Sequence, residues 1–359
     1  MHRTRKSPNR TLKRLLVLVG LALTVTSGTA QVIVAATQPL FEDNDPIKLV
    51  IQAPFGHLVG DRVGKSTYRD GTLRYFDDAG HERVLPLEIR TRGKTRLRKD
   101  VCAFPPLRLR FTESDVFDTL FQGQRAIKLV THCRDNDSYD QLVLQEYLAY
   151  RVYNVLTDYS HRVRLANITY RQANGAHLAT RLGIFLERWK SVADRSHMIA
   201  AIVDGGVNID MLSRDDANRV AVFQYLIGNE DWSVLWPESN EDCCHNTKPL
   251  YSDGRVIPLP YDFDFAGIVN APYAIPKPPN RKVRNRRYGG LCHTQSSGLE
   301  GTLSLFRERR DAIYALYREQ PGLRERVRTR TLRYLDRFYE VINDPTKVER
   351  QLIRRCKEK

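Results

Sequence analysis

The order of hydrophobic periodicities constrains this chain most, because strand-like segments dominate its first half and helix-like segments its second. Six segments alternate between apolar and polar residues or run apolar, as β-strands do: 47–53, 84–92, 107–111, 126–132, 163–171 and 177–189. Turn residues at 69–71 and 77–80 are expected to separate strands. Four segments have helical spacing: 138–157, 215–229, 303–318 and 326–342. Ser138 is the expected N-cap of the first helix.

These patterns predict an α+β fold in two parts. Residues 40–189 would form a β-rich part with one long helix. Residues 190–345 would form a mainly helical part that also holds a strand near residue 260, and residues 346–359 a basic C-terminal tail. With 359 residues, of which 42% are hydrophobic, the chain can build cores of this size.

The first 30 residues have the pattern of an export signal. A basic start is followed by the apolar run 15–25 and by small residues that end at Ala30, where we expect cleavage. The alternative is an uncleaved membrane anchor reaching residue 37, because no charge occurs between Leu15 and Phe41. Either way, the folded part would lie outside the cytoplasm, in the periplasm or secreted.

Six cysteines fit that location, because an even number in an oxidising compartment indicates disulfides. The neighbouring Cys243 and Cys244 lack the two-residue gap of a zinc knuckle. We expect Cys102 to pair with Cys133, and Cys292 to pair with Cys244 or Cys243.

The net charge of +15 falls to +9 once the six basic residues of the export signal are removed. This excess is dispersed, which argues against nucleic-acid binding. The basic loop 271–290 could meet phosphate or be a solvated loop. Several arginines of the terminal helices could contact an anionic membrane surface or simply form basic outer faces: Arg307, Arg309, Arg310, Arg326, Arg328 and Arg330.

Two aspartates interrupt the apolar segment 257–270. If this segment is extended, Asp262 and Asp264 share one face, roughly 6.6 Å apart along the strand. Carboxylates at that spacing repel each other unless a cation lies between them. The segment therefore predicts a cation site in front of both aspartates.

A second buried charge is predicted on the helix 138–157, where Glu146 lies in the apolar stripe. A carboxylate there needs a cation. The best candidate is Lys128, which stands between apolar neighbours in the preceding strand. We therefore expect an ion pair between Lys128 and Glu146, with a helix that leaves Glu146 at an edge as the alternative.

Residues suited to phosphoryl transfer follow along the chain. Asp231 could accept a hydroxyl proton, Asn246 could offer an amide oxygen to a metal, and Asp262 could bridge Mg²⁺ and phosphates. The run 60–67 is no P-loop, because only three residues separate its glycines. The basic turn with Arg92, Gly93 and Lys94 could bind an anion instead, or be a plain hairpin.

These motifs together resemble those of the spore-coat CotH family of atypical kinases. Four stretches between residues 84 and 270 carry the resemblance: IRTRGKTR, LRLRF, IGNEDW followed by HN, and PYDFDFAG. The resemblance implies a two-lobed protein-kinase-like fold with a β-rich N-lobe and a helical C-lobe. It also implies Mg-ATP-dependent transfer of phosphate to hydroxyls of a protein substrate in the cell envelope.

The resemblance also implies roles for single residues. Lys128 would contact the phosphates, Glu146 would hold Lys128, and Asp231 would be the catalytic acidic residue. Asn246 and Asp262 would bind the metal ion.

Three departures from the kinase pattern leave alternatives open. Asn246 follows Asp231 by fifteen positions, where kinases have five, and Asp264 occupies the glycine position of the Asp-Phe-Gly motif, from which it could assist the metal. No glycine-rich phosphate loop is recognisable. A pseudokinase that binds or scaffolds, and an enzyme that transfers AMP, are therefore the alternatives to a kinase.

Overall fold

The described part of the chain comprises residues 38–61, 66–200, 206–235, 244–276, 281–295 and 298–358 of a computed structural model. The predicted export signal, Cys243 and residues 62–65 of the run 60–67 lie outside these residues.

Seven strands form a closed barrel: β1 Ile47–Gln52, β2 Arg69–Phe76, β3 Glu82–Thr91, β4 Leu107–Arg110, β5 Ala126–Val130, β6 Val163–Arg171 and β7 His177–Leu186. Their order around the barrel is β1-β2-β3-β4-β5-β7-β6. All neighbours are antiparallel except β1 and β6, which run parallel with Ile47 opposite Ala166. This one parallel pairing closes the sheet.

Closure contradicts the predicted two-lobed protein-kinase-like fold, in which the sheet would be open. The prediction was wrong because alternation along a strand says nothing about which distant strands pair. It also missed β2, whose first residues 69–71 were expected to be a turn. Gly71 lies where a Cβ would come 2.8 Å from the carbonyl oxygen of Gln52, so glycine here permits close approach of β2 to β1.

Alternation divides the barrel into an apolar inside and a mixed outside. On β5, Ile127 and Leu129 belong to the barrel core, while Lys128 between them faces outward. On β7, Phe185 is inside, and Ile184 belongs to a second core formed with the helices. The barrel therefore has one outer side that is apolar and takes up helices.

Ten helices occur in the described residues: α1 Phe55–Gly60, α2 Glu113–Val116, α3 Asp137–Leu156, α4 Trp189–Arg195, α5 Arg214–Ile227, α6 Cys292–Gln295, α7 Leu299–Glu308, α8 Arg310–Glu319, α9 Glu325–Ile342 and α10 Pro345–Gln351. A hairpin of β8 Thr247–Ser252 and β9 Arg255–Pro260 lies between α5 and α6 in sequence. Apolar residues of α3, α5, α7, α8 and α9 share the second core with β6 and β7. The long helix α3 thus connects the barrel to the later helices.

The N-cap of α3 is not the residue that the sequence predicted. Asn136, and not Ser138, is the N-cap, and its side-chain oxygen accepts a hydrogen bond from the Ser138 N–H at 2.8 Å. Asp137 and Asp140 in the first turn lie favourably at the positive end of the helix dipole.

Two disulfides are present in the described residues. Cys102 pairs with Cys133, as predicted. Cys292 pairs with Cys356, so the predicted pairing of Cys292 with Cys244 or Cys243 is wrong. Such bonds fit a protein that matures in an oxidising compartment. Residues 345–355 are helical, and Cys356 fixes the end of this segment.

No helix in the described residues is long and apolar enough to cross a bilayer.

The end of α5 gives a test of the packing. Gly228 caps α5 with a left-handed φ of 68°, and an added Cβ would overlap the hydroxyl of buried Tyr334. Gly254, in the β8–β9 turn, has a φ of 71° but open space around it. Both alanine substitutions should lower the free energy of unfolding by about 1–2 kcal/mol, because alanine is strained in the left-handed conformation. Only Gly228→Ala should lower it by about 1–3 kcal/mol more, because the added methyl group overpacks the site.

Urea denaturation of Gly228→Ala and Gly254→Ala measures this difference directly. Equal losses in the two variants would contradict the close contact between Gly228 and Tyr334.

Candidate functional site

A cleft of about 730 Å³ opens between the loop after β3 and the segments that flank the β8–β9 hairpin. Six residues singled out in the sequence line it together: Arg92, Lys94, Asp231, Asn246, Asp262 and Asp264. They come from three regions of the chain that are far apart in sequence. Basic residues come from the barrel loop, and the acidic and amide residues come from the later segments.

The aspartate segment is not extended as predicted. β9 ends at Pro260, although the Tyr261 N–H still donates to the Asn246 carbonyl oxygen at 3.0 Å. Asp262 then adopts a left-handed φ of 66°, and its N–H donates to the Tyr150 hydroxyl at 2.9 Å. The chain turns at Asp264. The expectation of two aspartates on one strand face is therefore wrong, because the backbone leaves the strand before reaching them.

Asp231 and Asn246 are in direct contact across fifteen positions of sequence. The Asn246 amide nitrogen donates to the Asp231 carbonyl oxygen at 2.7 Å and to its carboxylate at 3.1 Å. His245, to which the sequence assigned no role, places Nε2 3.0 Å from the same carboxylate. Asn229 accepts the Asp231 N–H at 3.0 Å, directly after the Gly228 cap. This set of contacts fixes the direction of the Asp231 side chain.

Asn246 and Asp262 share an uncommon backbone. Both have positive φ angles, 51° and 66°, outside the regions that most side chains adopt. Asparagine and aspartate tolerate this conformation best. Positive φ angles at both proposed metal ligands place the side chains where a regular strand would not carry them.

Two carboxyl groups, Asp264 in the cleft lining and Glu146 outside that lining, are kept from easy ionisation. Burial and, after it, the neighbouring charge of Asp262 raise the pKa of Asp264 to about 7, while Arg96 opposes the shift. The pKa of Glu146 is raised well above its ordinary value, chiefly by burial and secondly by the charge of Asp264. Both carboxyl groups would become more acidic if a cation entered the cleft.

Basic side chains form a row on the outer face of the barrel. Arg90, Arg108 and Lys128 stand opposite one another on β3, β4 and β5. Like charges at directly opposite positions destabilise a sheet. Burial lowers the pKa of Lys128 to about 7, and the charge of Arg92 lowers it too, while Asp262 acts against the shift. This row has the character of an anion-binding surface.

The predicted ion pair between Lys128 and Glu146 does not form in the described structure. The Lys128 ammonium instead lies 4.7 Å from the centre of the Tyr261 ring. Among the cations, buried Arg96 does most to stabilise the Glu146 carboxylate, and Arg96 also feels the charge of Asp264. The sequence therefore paired Glu146 with Lys128, whereas the structure brings it near Arg96.

The loop after β3 carries the remaining predicted basic residues. Gly93 has a φ of 99°, which glycine adopts easily, so the chain can turn between Arg92 and Lys94. The Arg92 N–H donates to the Pro106 carbonyl oxygen at 2.9 Å, and a short 3₁₀ helix, Thr95–Leu97, follows. Both basic side chains thereby line the cleft.

Besides His245, sequence reasoning missed Arg96, Tyr150 and Lys248. Arg96 follows Lys94 by two positions in the same basic run, a signal that was available. Tyr150 follows Glu146 by one helical turn, so it shares that face of α3. Lys248 lines the cleft from β8, and nothing in its local pattern distinguishes it.

The acidic side suits a magnesium ion that arrives with phosphates better than a permanent metal centre. The described residues contain no group of three His, Cys, Asp or Glu side chains arranged to hold a metal ion. Asn246, Asp262 and Asp264 offer two carboxylates and one amide oxygen to the same cleft. Magnesium is commonly held by one or two carboxylates together with waters and substrate phosphates. Asn246, Asp262 and Asp264 fit that requirement.

No protein-family model matches this chain, and no curated protein sequence matches it significantly. The resemblance to the CotH family therefore stands on the four quoted motifs alone.

The buried charge of Lys128 gives a second test. Lys128→Met should raise the free energy of unfolding at neutral pH by on the order of 1–3 kcal/mol, because it removes a charge that burial penalises. The pKa of Lys128 is about 7 in the folded protein, against an ordinary value of 10.5. The unfolded chain therefore binds more protons between these values, and the stability of the wild type should rise with pH across that window.

Denaturant unfolding at pH values below, within and above the window tests this. Lys128→Met should lack part of the rise, whereas Lys48→Met, at an exposed position of β1, should keep it. Parallel profiles for the wild type and Lys128→Met would show that Lys128 is not penalised by burial.

Proposed function

We propose that this protein is an Mg-ATP-dependent phosphotransferase that phosphorylates hydroxyl groups of a protein substrate, as the resemblance to CotH-like atypical kinases implies. One observation carries the proposal. Asp231, Asn246 and Asp262 line the same cleft as Arg92 and Lys94, and Asp231 and Asn246 are in direct contact. Its volume of about 730 Å³ lies within the range of small-molecule pockets, about 300–1,000 Å³.

The acidic side has two tasks in this proposal. Asp231 orients the acceptor hydroxyl and takes up its proton, and the contacts with Asn246 and His245 hold its carboxylate in place. Asn246 and Asp262 hold the magnesium ion, and Asp264 assists. The metal ion neutralises charge on the transferring phosphate.

The basic side binds and orients the phosphates. Arg92 and Lys94 approach them from the loop after β3. Lys128 is not a lining residue, but its ammonium lies 4.7 Å from the ring of Tyr261, which lines the cleft. An anion beside Lys128 restores its charge, because a nearby opposite charge raises the pKa of a lysine. Glu146 acts one step further back, as one of the acidic groups whose charge interacts with Arg96. Arg96 in turn is anchored by donating to the Thr131 carbonyl oxygen at 2.6 Å.

The proposed setting is the cell envelope. The two disulfides support maturation in an oxidising compartment. We propose that the export signal is cleaved and that the protein acts in the periplasm or after secretion, on an envelope or secreted protein.

One observation favours a second candidate, a pseudokinase that binds nucleotide as a scaffold without turnover. The described structure lacks the Lys128–Glu146 ion pair that protein kinases use to position ATP. The same cleft would then bind a nucleotide and present a surface to partners.

Nucleotide binding is tested by thermal unfolding with and without Mg-ATP. At about 100 times its dissociation constant, a ligand stabilises the folded state by roughly 2.7 kcal/mol. We expect this shift in the wild type and its loss in Asp262→Asn. Asp253→Asn is the control, because Asp253 has a positive φ of 50° in the exposed β8–β9 turn. Absence of any shift in oxidised wild-type protein would refute both nucleotide-dependent functions.

Turnover is tested with ATP labelled at the γ- or the α-phosphate. A kinase transfers only the γ-label, and Asp231→Asn should reduce transfer by at least about 100-fold, because general-base assistance contributes roughly that much. The thermal shift with Mg-ATP should persist in this variant. Transfer of the α-label would indicate AMP transfer, and binding without transfer of either label would indicate the pseudokinase.

A further inference from the structure

A second basic surface lies on α9, and it shares no lining residue with the cleft. Arg326, Arg330, Arg333 and Arg337 are all exposed, and they follow one another at spacings of four, three and four residues. That spacing places them along one face of the helix. With a rise of about 1.5 Å per residue, the stripe is roughly 16 Å long.

These four arginines lack the carboxylate partners that neighbouring arginines have. Arg307, Arg328 and Arg354 each pair with a glutamate. In the described residues, no ion pair involves any of the four stripe arginines.

The acidic residues beside the stripe are fewer than its arginines, and two of them already have other partners. Glu325 pairs with Arg328 and accepts from Thr329, and Asp336 accepts from the Tyr314 hydroxyl at 2.7 Å. Glu340 is the third acid of the groove. Three acids thus stand against five arginines, counting Arg284 from the preceding loop.

Arg284 also lines this groove, and its positive charge is partly buried. Its guanidinium lies 4.7 Å from the centre of the Tyr334 ring, and one of its terminal nitrogens, Nη1, is buried without a hydrogen-bond partner. Burial lowers the pKa of Arg284 to about 10, and the charges of Arg330 and Arg337 act in the same direction. An anion in the groove would relieve this repulsion.

The shape suits a ligand with several phosphates. The groove measures about 930 Å³, more than the cleft, and guanidinium groups bind phosphate oxygens in a bidentate manner. A single phosphate reaches two or three arginines, whereas the stripe is roughly 16 Å long. None of the large exposed hydrophobic residues belongs to α9, so contact would be electrostatic and without insertion.

We propose that the groove lined by Arg284, Arg326, Arg330, Arg333 and Arg337 binds neighbouring phosphate groups, presented by anionic lipid headgroups or by a soluble polyphosphate. Recognition is by charge-assisted hydrogen bonds from the arginines. This site is independent of the proposed phosphotransfer and would tether the protein to an anionic surface or ligand.

Vesicle sedimentation and titration with tripolyphosphate distinguish the two sources. The vesicles contain phosphatidylcholine with or without phosphatidylglycerol. The groove variant is Arg330→Gln with Arg333→Gln. The control variant, Arg350→Gln with Arg355→Gln, removes the same charge from exposed positions outside the groove. Unchanged thermal unfolding of both variants verifies their folds.

We expect binding that weakens as salt is added, because exposed charges are screened. The groove variant should bind about 30-fold more weakly than the control, equivalent to roughly 1 kcal/mol for each arginine removed. If the groove variant binds phosphatidylglycerol vesicles more weakly than the control does, the source is a lipid headgroup. If only its binding of tripolyphosphate is weaker, the source is a soluble polyphosphate. Binding to neither, or equal weakening in both variants, would overturn the proposal.

Discussion

The parallel pairing of β1 with β6 is the constraint on which the rest of the structure depends. Because it closes the barrel, every strand acquires an enclosed face and an outer face, and alternation decides which side chain goes where. Ile127 and Leu129 are enclosed, so Lys128 must face outward. The apolar outer face of β6 and β7 takes up α3, which brings Glu146 and Tyr150 behind the cleft.

The cleft and the residues packed around it gather charges of both signs. Asp264 and Glu146 have raised pKa values, and Lys128 has a lowered one, each chiefly because of burial. The arrangement is costly to the ligand-free protein. In the proposed function, a magnesium ion carrying phosphates would bring a cation to the carboxylates and anions to the bases. One ligand would thereby relieve both sides, which links binding in the cleft to the stability of the fold.

Local patterns predicted much of the secondary structure, and most of the errors came from long-range contacts. The alternation at 126–132 and the helical stripe through Glu146 both correspond to elements of the structure. Barrel closure depends on pairing between distant strands, which alternation cannot reveal. The joining of Asp231 and Asn246 agrees with their inclusion in one predicted site. The left-handed turn at Asp262 was not predictable, because neighbouring β-formers favour an extended chain.

The Cys292–Cys356 disulfide makes the C-terminal helices a covalent ring, because it joins the two ends of a segment that contains α7, α8, α9 and α10. Closing a loop of 64 residues removes chain entropy from the unfolded state, equivalent to about 4 kcal/mol in the polymer model. A protease cut between these helices would leave both fragments joined until the disulfide is reduced. The arginine stripe on α9 therefore stays attached to the rest of the molecule even after such a cut.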